Sequence, residues 1–110
     1  MAKDMTLAVL FDLYGELLSP RQREVFDGYY GEDLSLSELS EAYGITRQGV
    51  LQNIQTAEHK LREWEEKLGF FQTLLTTRGL AEEIAKVAME LPQSEQSQTI
   101  LALARQIETL

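Results

Sequence analysis

The side chains best suited to recognition chemistry lie at the start of one helical stretch, residues 47–61. Arginine and glutamine carry paired hydrogen-bonding groups that match the edges of guanine and adenine in the major groove of DNA. Their spacing predicts a nucleic-acid-binding face on the outer side of that helix. The residues at or near this face are Arg47, Gln48, Leu51, Gln52 and Gln55.

Such a face has to be held by a second helix and a turn. Residues 34–61 read LSLSELSEAYGITRQGVLQNIQTAEHKL, which is the layout of a helix-turn-helix. In that motif the first helix braces the second in the major groove. Gly44 can adopt the positive φ of the turn, Ile45 would fill the gap between the helices, and Thr46 would cap the second one. The predicted inward positions are Leu36, Leu39, Ala42, Val50 and Ile54.

Helical periodicity extends along the whole chain and strand signals are nearly absent, so we predict an all-α fold. The first helix should carry one broad apolar face that includes Leu17, and the long motif helix an apolar seam that ends at Leu68. Residues 70–77 are predicted to form a short helical piece or a turn, interrupted at Arg78 and Gly79. The predicted helices span residues 4–18, 20–30, 36–43, 47–68, 80–91 and 95–109.

Gly79 is the predicted domain boundary. We expect a helix-turn-helix domain over residues 1–78 and a C-terminal helical extension over residues 79–110. The first helix offers more apolar surface than one shallow core needs. That surplus predicts burial by later helices of the same chain or by a partner subunit, so a homo-oligomer is expected.

The charge of the chain conflicts with a broad nucleic-acid surface. The 110 residues carry a formal net charge of −8, and residues 32–68 alone hold eight acids and four bases. Phosphate neutralisation by Lys and Arg supplies most non-specific affinity for DNA. Arg47 is the only basic residue near the start of the predicted recognition helix. Arg21 and Arg23, at the start of the preceding helix, could join it at a phosphate, or they could be solvated surface residues.

Composition also bears on class and compartment. The chain has no cysteine and a single histidine, and it lacks a Gly-rich phosphate loop and zinc-ligand spacing. We therefore predict no catalytic residues, no metal site, no cofactor and no enzymatic activity. No stretch approaches the roughly 18 apolar residues of a membrane span, and no secretion signal is recognisable. A cytoplasmic protein without membrane contact is expected.

Residues Leu17 to Leu68 closely resemble a known family. The stretch LLSPRQREVFDGYYGEDLSLSELSEAYGITRQGVLQNIQTAEHKLREWEEKL resembles the YlxM family of small bacterial helix-turn-helix proteins, and FDLYGELLS extends the resemblance upstream. The part SLSELSEAYGITRQGVLQ is also similar to the sigma factor region that reads promoters. The resemblance implies a sigma region 4-like fold. It also implies a regulatory link to the signal recognition particle pathway, because family members are encoded beside the GTPase of that particle.

Three hypotheses follow from these observations. The first is a regulatory protein that binds or modulates the signal recognition particle GTPase or its complex, as the family resemblance implies. The second is a transcription regulator that reads duplex DNA with the helix starting at Arg47. The third is a structural oligomer built on the spare apolar surface of the first and last helices.

Overall fold

The computed structural model describes residues 3–110, and every regular element in that range is helical, as predicted. The described residues divide into two compact units, 3–69 and 70–110. The division falls after Gly69, earlier in the chain than the predicted boundary at Gly79. The α-helices are α1 (Met5–Tyr14), α2 (Pro20–Tyr30), α3 (Leu36–Tyr43), α4 (Arg47–Leu68), α5 (Phe70–Glu90) and α6 (Glu95–Glu108).

Helix α4 is the centre of the first unit, and α1, α2 and α3 all pack against it. Val50 and Ile54 on α4 are completely buried, as is Leu39 on α3, so the predicted inward positions of the motif are confirmed there. Burial of apolar surface is the main stabilising term for such a unit. The cluster that joins α2, α3 and α4 consists of Val25, Tyr29, Leu39, Val50 and Ile54.

The ends of the motif helices are satisfied as the sequence predicts. Ser35 begins α3 with a capping box: its hydroxyl accepts from the Glu38 amide at 3.0 Å. Gly44 ends α3 in the left-handed conformation, with φ of 65°. Thr46 caps α4, since its hydroxyl accepts from the Gly49 amide at 2.9 Å. Ile45 packs against the buried cluster between the two helices. These features fold the chain back on itself and orient α4.

Three positions predicted to face the core are exposed. Leu17 is 60% exposed because α1 ends at Tyr14 and residues 15–17 form a 3₁₀ turn, which shifts Leu17 off the apolar face. Ala42 is exposed because Leu36, Leu39 and Tyr43 form the inward side of α3. Leu68 is 49% exposed, so the buried seam of α4 ends at Leu61 with Trp64 half-buried.

Gly31, in the loop between α2 and α3, is required by a close contact and not by a positive φ. Gly31 ends α2 with φ of −88°, so it does not adopt the left-handed conformation. A Cβ at this position would lie 2.8 Å from the carbonyl oxygen of Asp27, and this close contact requires glycine. Asp33 takes the positive φ of the loop instead, at 57°. Lys3 fixes the loop, since its ammonium donates to Asp33 at 2.6 Å and to the Tyr29 carbonyl at 2.7 Å.

The second unit is a helical hairpin of α5 and α6. Helix α5 is continuous from Phe70 to Glu90, so the predicted interruption at Arg78 and Gly79 was wrong. A single glycine costs a helix only about 1 kcal/mol relative to alanine, which the surrounding turns tolerate. Ser94 caps α6 and accepts from the Ser97 amide at 3.0 Å.

Candidate nucleic-acid interface

The outer side of α4 at its N-terminal end presents the predicted recognition residues. Arg47, Gln48, Gln52 and Gln55 are exposed, and Leu51 is half-buried at the edge of the same side. We call these five residues the recognition face. Gln48, Gln52 and Gln55 point outward because Val50 and Ile54 are buried on the opposite side of the helix, whereas Arg47 is exposed as the first residue of α4.

The structure places one of the two α2 arginines beside the motif. The guanidinium carbon of Arg21 lies 5.0 Å from the centre of the Tyr43 ring, which is a cation–π distance. Tyr43 is the last residue of α3, directly before the turn into α4. Arg23 is exposed and projects roughly 200° around α2 from Arg21, given about 3.6 residues per helical turn. Only Arg21 therefore lies next to the helix-turn-helix.

Most other basic side chains of the first unit are held in ion pairs with its acids. Arg62 contacts Asp4 at 3.5 Å, and Lys67 contacts Glu63 at 2.8 Å. The hydrogen bond from Lys67, together with its charge, holds the pKa of the Glu63 carboxyl below its usual value. The bond from Lys3 lowers the pKa of Asp33 in the same way. These pairs leave few cations for phosphate contacts.

A small acidic depression lies between α1 and α2. It has a volume of about 130 Å³. Three stacked rings contribute to its lining, with centroids 4.8 Å apart for Phe11 and Phe26 and 4.3 Å for Phe26 and Tyr30. Asp12 and Asp27, both exposed, line it. We call Phe11, Asp12, Asp27 and Tyr30 the acidic–aromatic depression.

The Tyr30 hydroxyl at this depression donates a hydrogen bond to the Glu58 carboxylate on α4. Partial burial of the hydroxyl raises the pKa of Tyr30 above its usual value, and the bond to Glu58 raises it further. Sequence reasoning did not find this site. The signal was the i, i+4 pair of Phe26 and Tyr30, but its α1 partners could not be assigned without the fold.

Within residues 3–110, no group of three or more His, Asp or Glu side chains is placed to hold a metal ion. None of the helices in the described part of the chain combines the length and apolar character needed to cross a membrane.

The braced helix α4, the left-handed turn at Gly44 and the exposed recognition face define a helix-turn-helix protein. Residues 1–101 match the UPF0122 family, described as "Putative helix-turn-helix protein, YlxM / p13 like". The chain belongs to this family, which confirms the resemblance seen in the sequence. The family description concerns a helix-turn-helix protein and not an enzyme.

Curated relatives cover most of the chain. A UPF0122 protein of Thermoanaerobacter sp. (strain X514) is 38% identical over 108 residues, spanning 94% of this chain and 92% of the relative. One from Acetivibrio thermocellus is 37% identical over 108 residues, spanning 98% and 92% respectively. Another from Shouchella clausii is 39% identical over 84 residues, spanning 76% and 77%. The similarity therefore extends well beyond the helix-turn-helix itself.

Proposed function

We propose that this chain is a regulatory protein that acts in the cytoplasm by binding the GTPase of the signal recognition particle or its complex. The pathway comes from the family resemblance, and one structural observation favours a protein as the partner. The acidic–aromatic depression combines two exposed carboxylates, Asp12 and Asp27, with aromatic rings in its lining. That combination suits an Arg or Lys side chain of a basic protein, through ion pairing and cation–π contact.

The overall charge supports the same partner class. Residues 1–69 carry thirteen acidic and seven basic side chains. A surface of this sign repels phosphate and attracts a basic protein over about a Debye length, near 8 Å at physiological salt. Association should accordingly weaken as salt rises.

Replacing Asp12→Asn and Asp27→Asn together is expected to weaken binding to the purified GTPase about tenfold, or roughly 1.4 kcal/mol for two partly exposed charges. Calorimetric titration measures the affinity, and GTP turnover with and without each variant measures the regulatory effect. GTP turnover in the presence of the double variant should lie closer to the rate of the GTPase alone.

The matched control removes two carboxylates elsewhere, Glu82→Gln and Glu95→Gln, both exposed in the second unit. It should bind as the original chain does. Equal weakening by both double variants would show that only net charge matters. Absence of any binding and unchanged turnover would end the proposal.

Duplex DNA is the second candidate partner, favoured by the position of Arg21 against Tyr43 beside the recognition face. Arg21 could contact a phosphate while Arg47, Gln48 and Gln52 reach base edges. With so few cations, such binding would be weak and sensitive to salt.

Arg47→Ala is expected to lower DNA affinity about tenfold at low salt, within the 1–3 kcal/mol of a good base contact. Gel shifts with the original chain and with Arg78→Ala, an exposed arginine of the second unit, provide the comparison. Identical weak binding by all three proteins to any duplex would count against readout by α4.

A further inference from the structure

The hairpin of α5 and α6 is packed through its small side chains. The buried residues of α5 are Ala81, Ala85 and Ala88, and those of α6 are Ser97 and Ala104. Such residues let two helices approach closely but bury little apolar surface. A 41-residue unit closed in this way has a small core of its own.

The large apolar side chains of the hairpin face outward on one side. Leu80, Ile84 and Val87 on α5 and Leu91 directly after it line an open groove of about 460 Å³ together with Ile100 of α6. Their spacing of four, three and four residues is that of a heptad seam. The α6 positions Gln96, Ile100, Leu103 and Ile107 repeat the same spacing. We call the exposed large residues of this side the hairpin face: Leu80, Ile84, Val87, Leu91, Ile100 and Leu103, each 39–58% exposed.

We infer that the hairpin face binds the hairpin face of a second copy of this chain, forming an antiparallel four-helix bundle. Covering six half-exposed Leu, Ile and Val side chains removes roughly 300–500 Å² of apolar surface per copy from water. With its polar rim, such a face approaches the approximately 800 Å² per partner of a stable complex. Heptad seams on two adjacent helices are the pattern that packs against an identical pair.

Charge selects the orientation of the second copy. Glu83 and Glu90 flank the α5 seam on the side away from α6, whereas the outer edge of α6 carries one acid, Glu95 in its first turn, followed by the uncharged Thr99 and Gln106. A two-fold axis parallel to the helices sets each α5 beside the α6 of the other copy, so Glu83 meets the uncharged part of the α6 edge. A two-fold axis perpendicular to the helices would instead set α5 beside the α5 of the other copy. It would bring Glu83 and Glu90 of both copies to the same edge of the bundle. The dimer is independent of the partner in the proposed function, because it uses neither the recognition face nor the acidic–aromatic depression.

Ile84→Glu is expected to weaken self-association by more than about a hundredfold, because it puts an unpaired carboxylate into the apolar seam. Met89→Glu is the control: it adds the same charge to the same helix, at a position 66% exposed on the other side. Sedimentation equilibrium should show a dimer for the original chain and for Met89→Glu, and a monomer for Ile84→Glu. Circular dichroism checks that all three keep their helical content.

A monomer of the original chain at high micromolar concentration would overturn the proposal, as would equal dimer strength in both variants. The chain has no native cysteine, so introduced ones report the orientation cleanly. A bismaleimide should link Glu83→Cys in one copy to Thr99→Cys in another. Preferential linking of Glu83→Cys to itself would overturn the arrangement.

Discussion

Leu61→Ala is expected to lower the free energy of unfolding of the first unit by about 3 kcal/mol, within the 2–5 kcal/mol range for Leu→Ala at buried sites. Leu61 is completely buried where α4 runs through the core, so its loss removes transfer energy and leaves a cavity. Urea denaturation followed by fluorescence of Trp64, one turn further along α4, measures the change. The slope of the unfolding free energy against urea should stay the same.

Leu68→Ala provides the control, because it is the same substitution on the same helix one heptad later. Leu68 is 49% exposed, so its truncation should cost less than about 1 kcal/mol. A large cost at both positions would show that the buried seam continues to Leu68, as the sequence pattern had predicted. The pair therefore tests where packing on α4 ends.

Local signals were sufficient to predict the helix-turn-helix. Ser35 and Thr46 act as caps through side-chain oxygens within their own turn, and Gly44 adopts a conformation that glycine permits almost alone. Val50 and Ile54 follow from helical periodicity on a helix with one buried side. Each of these features depends on residues within a few positions in sequence, so no knowledge of the fold was needed.

Errors arose where packing depends on distant partners. Ala42 and Leu68 fit the apolar periodicity of their helices, but nothing in the sequence shows where the neighbouring helices stop covering them. Gly79 is a helix breaker by propensity, yet α5 continues through it because a single glycine costs little in a long helix. Within the hairpin, small residues pack inside and large ones face out, which is the reverse of the usual expectation.

The candidate sites also differ in whether local sequence or the tertiary fold determines them. Gln48, Gln52 and Gln55 of the recognition face could be predicted because they lie on the outer side of one helix, opposite the buried Val50 and Ile54. The acidic–aromatic depression could not, because it joins residues of α1 and α2 that only the tertiary fold brings together. Arg21 and Arg23, two positions apart in sequence, project from different sides of α2, and of the two Arg21 contacts Tyr43.

The hydrogen bond between Tyr30 and Glu58 links α2 to α4 and should contribute to the alkaline stability of the first unit. Tyr30→Phe is expected to cost about 2 kcal/mol at neutral pH, because it removes a bond to a charged acceptor and leaves a half-buried carboxylate without that donor. The ring stack with Phe26 is retained in the variant. Urea denaturation at neutral pH measures the difference.

The pH dependence of this contribution follows from the direction of the pKa shift. Burial, then the bond to Glu58, raises the pKa of Tyr30 above its usual value of 10.0, so the folded state binds the phenolic proton more tightly than the unfolded chain does. The stabilisation is fully present below pH 10 and is lost as the pH rises through the folded-state pKa. The original chain should therefore lose stability above pH 10 more steeply than Tyr30→Phe, and the two curves should converge.

Glu58→Gln separates the hydrogen bond from the charge at this pair. A glutamine carbonyl still accepts from the Tyr30 hydroxyl, so the variant should cost less than about 1 kcal/mol at neutral pH and show a weaker alkaline loss. Tyrosinate absorbance adds a direct reading, because Tyr30→Phe should remove a late-titrating phenol from the alkaline titration of the folded chain. Parallel loss of stability above pH 10 in the original chain and in Tyr30→Phe would mean that this bond does not couple α2 to α4.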